Sequence, residues 1–310
     1  MPDVRTPVRP LLKWAGGKRQ LLPELRPFYP KAFRRYFEPF LGSGAVFLDL
    51  HNAGLLDGRD AWLSDINADI IGCYRAVRDD VDGVIAALRA HDRAYAAAGG
   101  AHYYVVRDEA FNPLRRALHA GSDPAGAYTP ALAAMLIFLN RTGFNGLFRL
   151  NARGDFNVPH GRNANPRICD EANLRAWSRL MRQPRIRLQV CAFEAALRQP
   201  ERGDFVYLDP PYAPLTATAR FTSYTAAGFG EEAQRSLQRS VFRLTARGAS
   251  ILLSNSAAPQ IRALYARDRR AVKAGLQAST VSARRAINSR ASSRGPVREY
   301  LITNVARRSV

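Results

Sequence analysis

The sequence predicts an α/β protein, a doubly wound sheet interrupted by a helical and β-hairpin insertion. Two runs near the N-terminus carry most of this expectation. Tyr36-Phe37 leads into Glu38-Pro39-Phe40-Leu41-Gly42-Ser43-Gly44, and a helix-forming stretch from Ala45 to Asn52 follows. Ala61-Trp62-Leu63-Ser64 then ends at Asp65-Ile66-Asn67. Strand, glycine loop, helix, strand and acid is the order in which an α/β nucleotide-binding sheet begins. The third observation lies far downstream. Strand patterning returns at Phe205-Val206-Tyr207-Leu208, at Ser250–Ser254 and at Tyr300–Thr303.

Between these blocks the character changes. From about Ile70 to Ala134 the reading is helical and polar, broken by Gly99-Gly100 and by Gly121-Ser122-Asp123-Pro124. Leu147–Leu150 and Asp155–Val158 flank Asn151-Ala152-Arg153-Gly154, which is turn chemistry for a hairpin. With 310 residues, 47% of them hydrophobic, the chain can bury the core of one large domain that carries an insertion. The sheet domain is assigned to 1–72 and 171–310, and the insertion to 73–170.

Charge is the loudest global feature. Forty-six Lys and Arg stand against 26 Asp and Glu, a net of +20. Such an excess suits a polyanionic partner, because each neutralised phosphate releases condensed counterions. It also suits a plain compositional drift toward arginine, since only four of the 46 are lysine. Distribution favours the first reading: residues 235–310 hold 16 basic residues and two acids. The three cysteines, Cys73, Cys169 and Cys191, are far apart, and the histidines form no metal-like cluster. A disulfide framework and a metal site are therefore not expected, and a reducing cytoplasm, or bacterial nucleoid, is the expected setting. No stretch has the length and apolarity of a signal peptide or a membrane span, so no membrane partner is expected.

The chemistry sits in a few short motifs. Gly42 and Gly44 form a GxG, yet Phe47 occupies the position of the third glycine of a dinucleotide fingerprint. That disfavours a pyrophosphate ligand and tolerates one without phosphate. Asp65, 21 residues beyond Gly44, is placed to bind ribose hydroxyls. Gly17-Lys18 is no phosphate loop, because Arg19 replaces the required Ser or Thr and Leu12 the first glycine. Asp209-Pro210-Pro211-Tyr212 after an apolar strand is the strong signal. Its two prolines stiffen the loop and leave carbonyl oxygens free. A carboxylate, a rigid backbone and an aromatic face suit a planar base bearing an amino group.

These blocks, in this order, resemble the adenine-specific DNA methyltransferases of the Dam type. The resemblance covers nearly the whole chain. It rests on Leu12–Lys18, Glu38–Phe47, Leu63–Asn67, Asn140–Arg149, Asp155–Pro159, Asp209–Tyr212, Phe221–Tyr224 and Leu253–Ser256. It implies a Rossmann-like methyltransferase sheet, S-adenosyl-L-methionine as the cofactor, double-stranded DNA as the partner, no obligatory protein partner, and the insertion as the target-recognition region. Carried over residue by residue, it gives Trp14, Lys18, Phe40, Gly42, Gly44, Asp65 and Asp209 to the cofactor. Asp209, Pro210, Pro211 and Tyr212 fall on the positions that hold the target base. Phe144 sits where an aromatic wedge enters the base stack. Lys13, Asn145, Leu147, Arg149, Pro159 and Arg162 sit where DNA is touched, and GATC is the expected site.

The sequence departs from the family in places. Phe144 stands where tyrosine is usual, His160 replaces an aromatic, and Ala233 and Ala257 replace acids. None removes a group the reaction needs. The implied mechanism swings adenine out of the duplex and stacks it on Tyr212. The amino group is then held by the Asp209 carboxylate and the Pro210 carbonyl, facing the methyl donor. A cytosine-amino enzyme shares the Pro-Pro-Tyr pocket but more often has Ser before it. RNA and protein-glutamine methyltransferases more often begin the tetrapeptide with Asn.

Overall fold

The computed structural model describes residues 7–14, 18–163, 165–213, 229–284 and 296–308. Its strands are β1 (Arg35–Glu38), β2 (Asp60–Asp65), β3 (Ile186–Val190), β4 (Phe205–Leu208), β5 (Ser250–Ser256), β6 (Gln277–Arg284) and β7 (Pro296–Thr303). The chain divides into two compact units. The first comprises Met1–Gly17, Gly42–Ala53 and Asn67–Val190, and the second Lys18–Leu41, Gly54–Ile66 and Cys191–Val310. The segment 73–170 lies within the first unit, which extends beyond it on both sides.

The second unit is built on strands in the order β2-β1-β4-β5-β7-β6. β1 pairs parallel with β2 and β4, and β4 parallel with β5. β7 then runs antiparallel between β5 and β6. This is the α/β methyltransferase-type sheet that the sequence predicts, and each of the five expected strand blocks is a strand. β4 explains why its sequence is unbroken in apolarity: both of its faces are covered. On one face Phe205 meets the rings of Tyr29, Phe33 and Tyr36 at 5.5–6.1 Å. On the other, Val206 and Leu208 share a core with Leu237, Val241 and Leu244 of the helix Glu231–Ala246. Those three recur at helical spacing, and burying each contributes roughly 1.5–3 kcal/mol. At the entry to β4, the fully buried Asp204 accepts from Arg35 Nε at 3.2 Å and Nη2 at 2.6 Å.

The first unit is mainly helical. Polar side chains set where its helices begin. The Asn67 side chain accepts from Asp69 N at 3.0 Å and starts the helix Ala68–Asp79. Asp80 does the same for Val81–Ala98, and Thr129 for Pro130–Thr142. These caps satisfy backbone donors that a helix start leaves open. A buried ion pair ties the unit together, with Arg115 Nη2 at 2.8 Å from the fully buried Asp69. His119 Nε2 lies 3.1 Å from the other oxygen of Asp69, and Arg115 Nη1 donates to the carbonyl of Gly154.

The expected hairpin is a refinement of the prediction. Its turn forms as expected: Asn151 N donates to Asp155 O and Gly154 N to Asn151 O, both at 2.9 Å. The flanks, however, meet only as isolated bridges, Leu150 with Phe156 and Gly143 with His160. The inward groups pair across the flanks, with Asn157 N donating to Arg149 O at 3.1 Å, and side chains from the helices take the outward-facing backbone groups. Asn112 bonds both Phe156 N and Phe156 O, and Tyr103 Oη donates to Val158 O at 2.8 Å. The sequence pattern did not announce β3 or β6. β3 buries little, and β6 is written in Gln, Ser, Thr and Ala without an apolar alternation. No helix of the described residues is long and apolar enough to cross a membrane.

Candidate active site

In the second unit β1, β2, β4 and β5 point the same way, so their C-terminal ends open on one edge of the sheet. That edge is where α/β sheets bind ligands. Here it collects Phe40 after β1, Asp65 at the end of β2, Asp209–Tyr212 after β4 and Ser254–Ser256 at the end of β5. Phe40 is half-buried, stacks on Phe193 with centroids 5.3 Å apart and meets Phe229 edge-on at 5.8 Å. The Asp65 carbonyl accepts from Cys191 N at 3.0 Å, which fixes the strand end that carries its half-buried side chain.

Asp209 is the electrostatic centre of this edge. Its Oδ1 lies 3.0 Å from Lys18 Nζ and accepts from Ser254 Oγ at 3.0 Å. Lys18 is itself only 5% exposed, so its ammonium is held away from water, while Asp209 is half-buried. Burial pushes the Asp209 carboxyl above the usual carboxylate range, and the Lys18 ammonium pulls it back. Lys18 Nζ also stands 4.4 Å from the centroid of the Tyr212 ring, a cation–π approach. The loop is braced from beneath. Gln234 Nε2 donates to Pro211 O at 3.1 Å, Ser256 Oγ to Ala213 O at 2.7 Å, and Asn255 Nδ2 to Gln234 Oε1 at 3.1 Å. A rigid acceptor carboxylate beside an aromatic face can hold an amino-bearing base.

The first unit carries the glycine loop and the segment from Phe144 to Arg162. Gly42 and Gly44 have φ of +48° and +65°, where a side chain strains the backbone. A Cβ on Gly42 would also lie 2.8 Å from Trp14 Cδ1. Trp14 in turn stacks on Phe148 with centroids 5.6 Å apart. Asn140 joins two stretches far apart in sequence. Its Oδ1 accepts from Lys13 N at 2.7 Å, and its Nδ2 donates to Lys13 O and Gly146 O at 2.9 and 3.0 Å. Lys13 is thereby brought to the start of the Phe144–Arg162 segment. Phe144 N donates to Pro159 O at 2.9 Å, which joins the two ends of that segment. Phe144, Asn145, Arg149, Pro159 and Arg162 are exposed, and Leu147 is half-buried. Asn145 and Arg162 both have positive φ, 55° and 52°, uncommon for residues with side chains.

Residues 14–283 match the family described as D12 class N6 adenine-specific DNA methyltransferase. The chain belongs to that family. A type II methyltransferase of Lactococcus lactis subsp. cremoris, M1.LlaDCHI, is 35% identical over 297 residues, 96% of this chain and 95% of its own. M.MjaIII of Methanocaldococcus jannaschii is 38% identical over 80% of this chain and 84% of its own. The DNA adenine methylase of Escherichia coli (strain K12) is 33% identical over 94% of each chain. The protein is therefore an adenine-specific DNA methyltransferase, and DNA is its substrate.

Sequence reasoning missed the supports of the methyltransferase's Asp209 loop. Gln234 looks like an ordinary polar residue of an amphipathic helix, and Glu299 like a charge on a strand. Only the pairing of β5 with β7 brings Glu299 to the loop, where its Oε2 accepts from Tyr212 Oη at 2.6 Å. The Leu253–Ser256 block was the available signal, since polar residues ending a buried strand need partners. The block Phe221–Tyr224, the residues of the glycine-lysine block at 15–17 and the Arg-rich stretch around Arg290 lie outside the described residues.

Proposed function

We propose that the protein transfers a methyl group from S-adenosyl-L-methionine to the N6 amino group of adenine within GATC in duplex DNA. The observation that carries this reading is the Asp209 loop, held by Lys18, Ser254 and Gln234 at the ligand-binding edge of the sheet. In this reading Asp209 and the Pro210 carbonyl accept hydrogen bonds from the amino group, and Tyr212 supplies the stacking face. Pro211 keeps the loop stiff. When bound, the sulfonium supplies a methyl already activated for displacement. The half-buried aromatic face of Phe40 and the strand-end carboxylate of Asp65 fit an adenosyl group and its ribose hydroxyls. Trp14, Lys18, Gly42 and Gly44 keep the cofactor roles that the family resemblance gives them. Residues 73–170 act as the target-recognition region and the remainder as the catalytic domain. Base-resolution mapping of methylated adenine in cells with and without the protein tests base and site together; adenine methylation outside GATC would overturn the site.

Asp65→Ala should weaken S-adenosylmethionine binding by about tenfold, roughly the worth of one charge-assisted hydrogen bond. The fold should be retained, because the side chain is only half-buried. Calorimetry reads this directly. Unchanged affinity would make Asp65 a structural strand end only.

Sequence choice falls to the segment from Phe144 to Arg162. The fork of Arg149 is pre-oriented: Nε donates to Asn157 Oδ1 at 2.8 Å and Nη2 to Asn157 O at 3.2 Å. Guanidinium geometry matches the two major-groove acceptors of guanine. Arg149→Ala should cost roughly 1–3 kcal/mol at GATC and relax choice at one base pair. Competition with single-base variants of the site measures this. Equal loss for every variant would reduce Arg149 to a phosphate contact.

A further inference from the structure

We infer that Glu299 is a positioning residue for the reaction, holding the Tyr212 ring at a fixed angle beside Asp209 through its phenol. This rests on the proposed role of the Asp209 loop and extends it to the far end of the chain's sheet. Four observations carry it. The Tyr212 hydroxyl donates to Glu299 Oε2 at 2.6 Å, a short bond to a carboxylate. Glu299 lies on β7 between two strands, its Cα paired with Ser256 of β5 and with Val281 of β6, so its backbone is fixed on both sides. Ser256, its register partner, itself holds Ala213 next to Tyr212. An acid is an unfavoured residue for the inside of a sheet, and the phenol gives this one a partner.

The ring is thus pinned at both ends. At its base, Pro210 and Pro211 fix the backbone, and Gln234 holds the Pro211 carbonyl. At its tip is Glu299. Across its face stands Lys18, 4.4 Å from the centroid, which also bonds Asp209 at 3.0 Å. Without the tip anchor the ring can turn about its side-chain torsions, and a base stacked on it turns with it. Misplacing a reacting atom by a fraction of an ångström lowers the rate without touching affinity. The donor is permanent: burial, Asp209 and Glu299 together push the Tyr212 phenol well above the ordinary tyrosine range. The phenol therefore keeps its proton and its donor role at working pH.

The test is a double-mutant cycle on full-length protein with a GATC duplex and S-adenosylmethionine, reading kcat and KM separately. Glu299→Ala and Tyr212→Phe should each lower kcat by about tenfold, the loss of one hydrogen bond to a charged group, with KM for the donor within about twofold. The double variant should be no slower than Tyr212→Phe alone, because each change removes the same bond. Glu299→Gln, which keeps an acceptor oxygen, should recover most of the rate. Multiplied losses in the double variant, or full-rate Glu299→Ala, overturn the proposal. If Glu299→Ala does not fold, Glu299→Leu, which keeps the bulk and removes the acceptor, combined with Tyr212→Phe completes the same cycle: non-additive losses support the anchor and additive losses overturn it. Tyr212→Ala separates the layers. Full activity there overturns the pocket reading itself, whereas loss there beside full-rate Tyr212→Phe overturns only the anchor.

Discussion

Asp209→Ala should lower methyl transfer by at least roughly 100-fold, the scale of losing one positioned polar group in an active site. Duplex affinity should stay within a few fold, because the residues proposed to read DNA belong to another part of the chain. The argument follows from the site. Asp209 Oδ1 is fixed by Lys18 and Ser254, each at 3.0 Å, so the acceptor geometry exists before any base arrives. Alanine removes the acceptor and leaves Lys18 buried without its carboxylate. Asp209→Asn separates these effects, since it keeps an acceptor oxygen and the shape but loses the charge. Single-turnover methylation of a GATC duplex at saturating donor measures both variants. Near-normal turnover of Asp209→Ala would remove this residue from the reaction.

Lys18→Met should move the acid limb of the pH–rate profile upward. Burial already raises the Asp209 carboxyl, and Lys18 opposes that rise. Removing the ammonium leaves burial and the neighbouring Glu299 raising the carboxyl, opposed only in part by the Ser254 hydrogen bond. In the proposed mechanism the ionised acceptor is the active form. Activity is therefore lost as pH falls through the carboxyl's pKa, and in the variant this loss begins at higher pH. Relative to wild type, the defect should be about tenfold larger at the acid end than at the alkaline end for each pH unit of displacement, equivalent to about 1.4 kcal/mol. A pH series at saturating S-adenosylmethionine reads it. A defect equal at every pH would mean that Lys18 serves the cofactor alone.

Much of the fold was legible because its strands are covered on both faces. Phe205–Leu208 and Ser250–Ser256 announce themselves as apolar runs, and the helix Ala45–Asn52 follows directly from the glycine loop. What was not legible depends on partners distant in sequence. β6 has no apolar pattern because its identity comes from pairing with β7 along eight residues. The hairpin stays short, and its outward backbone groups are held by Asn112 and Tyr103, partners 44 and 55 residues away that the local turn pattern does not reveal. The site divides the same way. Asp209-Pro210-Pro211-Tyr212 carries its chemistry in consecutive residues, whereas the bonds of Gln234 and Glu299 to that loop span 23 and 87 residues.

The order of β5, β7 and β6 has a consequence for how the sheet is assembled. β6 is made before β7, yet among the described strands it hydrogen-bonds to β7 alone, so it has no place in the sheet until β7 exists. In the folded sheet the two strands form an antiparallel ribbon that meets β5 through β7, along the register from Leu252–Thr303 to Ser256–Glu299. Such a ribbon is the natural candidate for the least stable cooperative block of the sheet, opening as one piece ahead of global unfolding. Since Glu299 travels with it, each opening would release the phenol of Tyr212 while β1, β2, β4 and β5 remain paired. Amide exchange in β6 and β7 would then report a shared opening free energy below that of β4, and the catalytically competent fraction would follow that free energy with temperature.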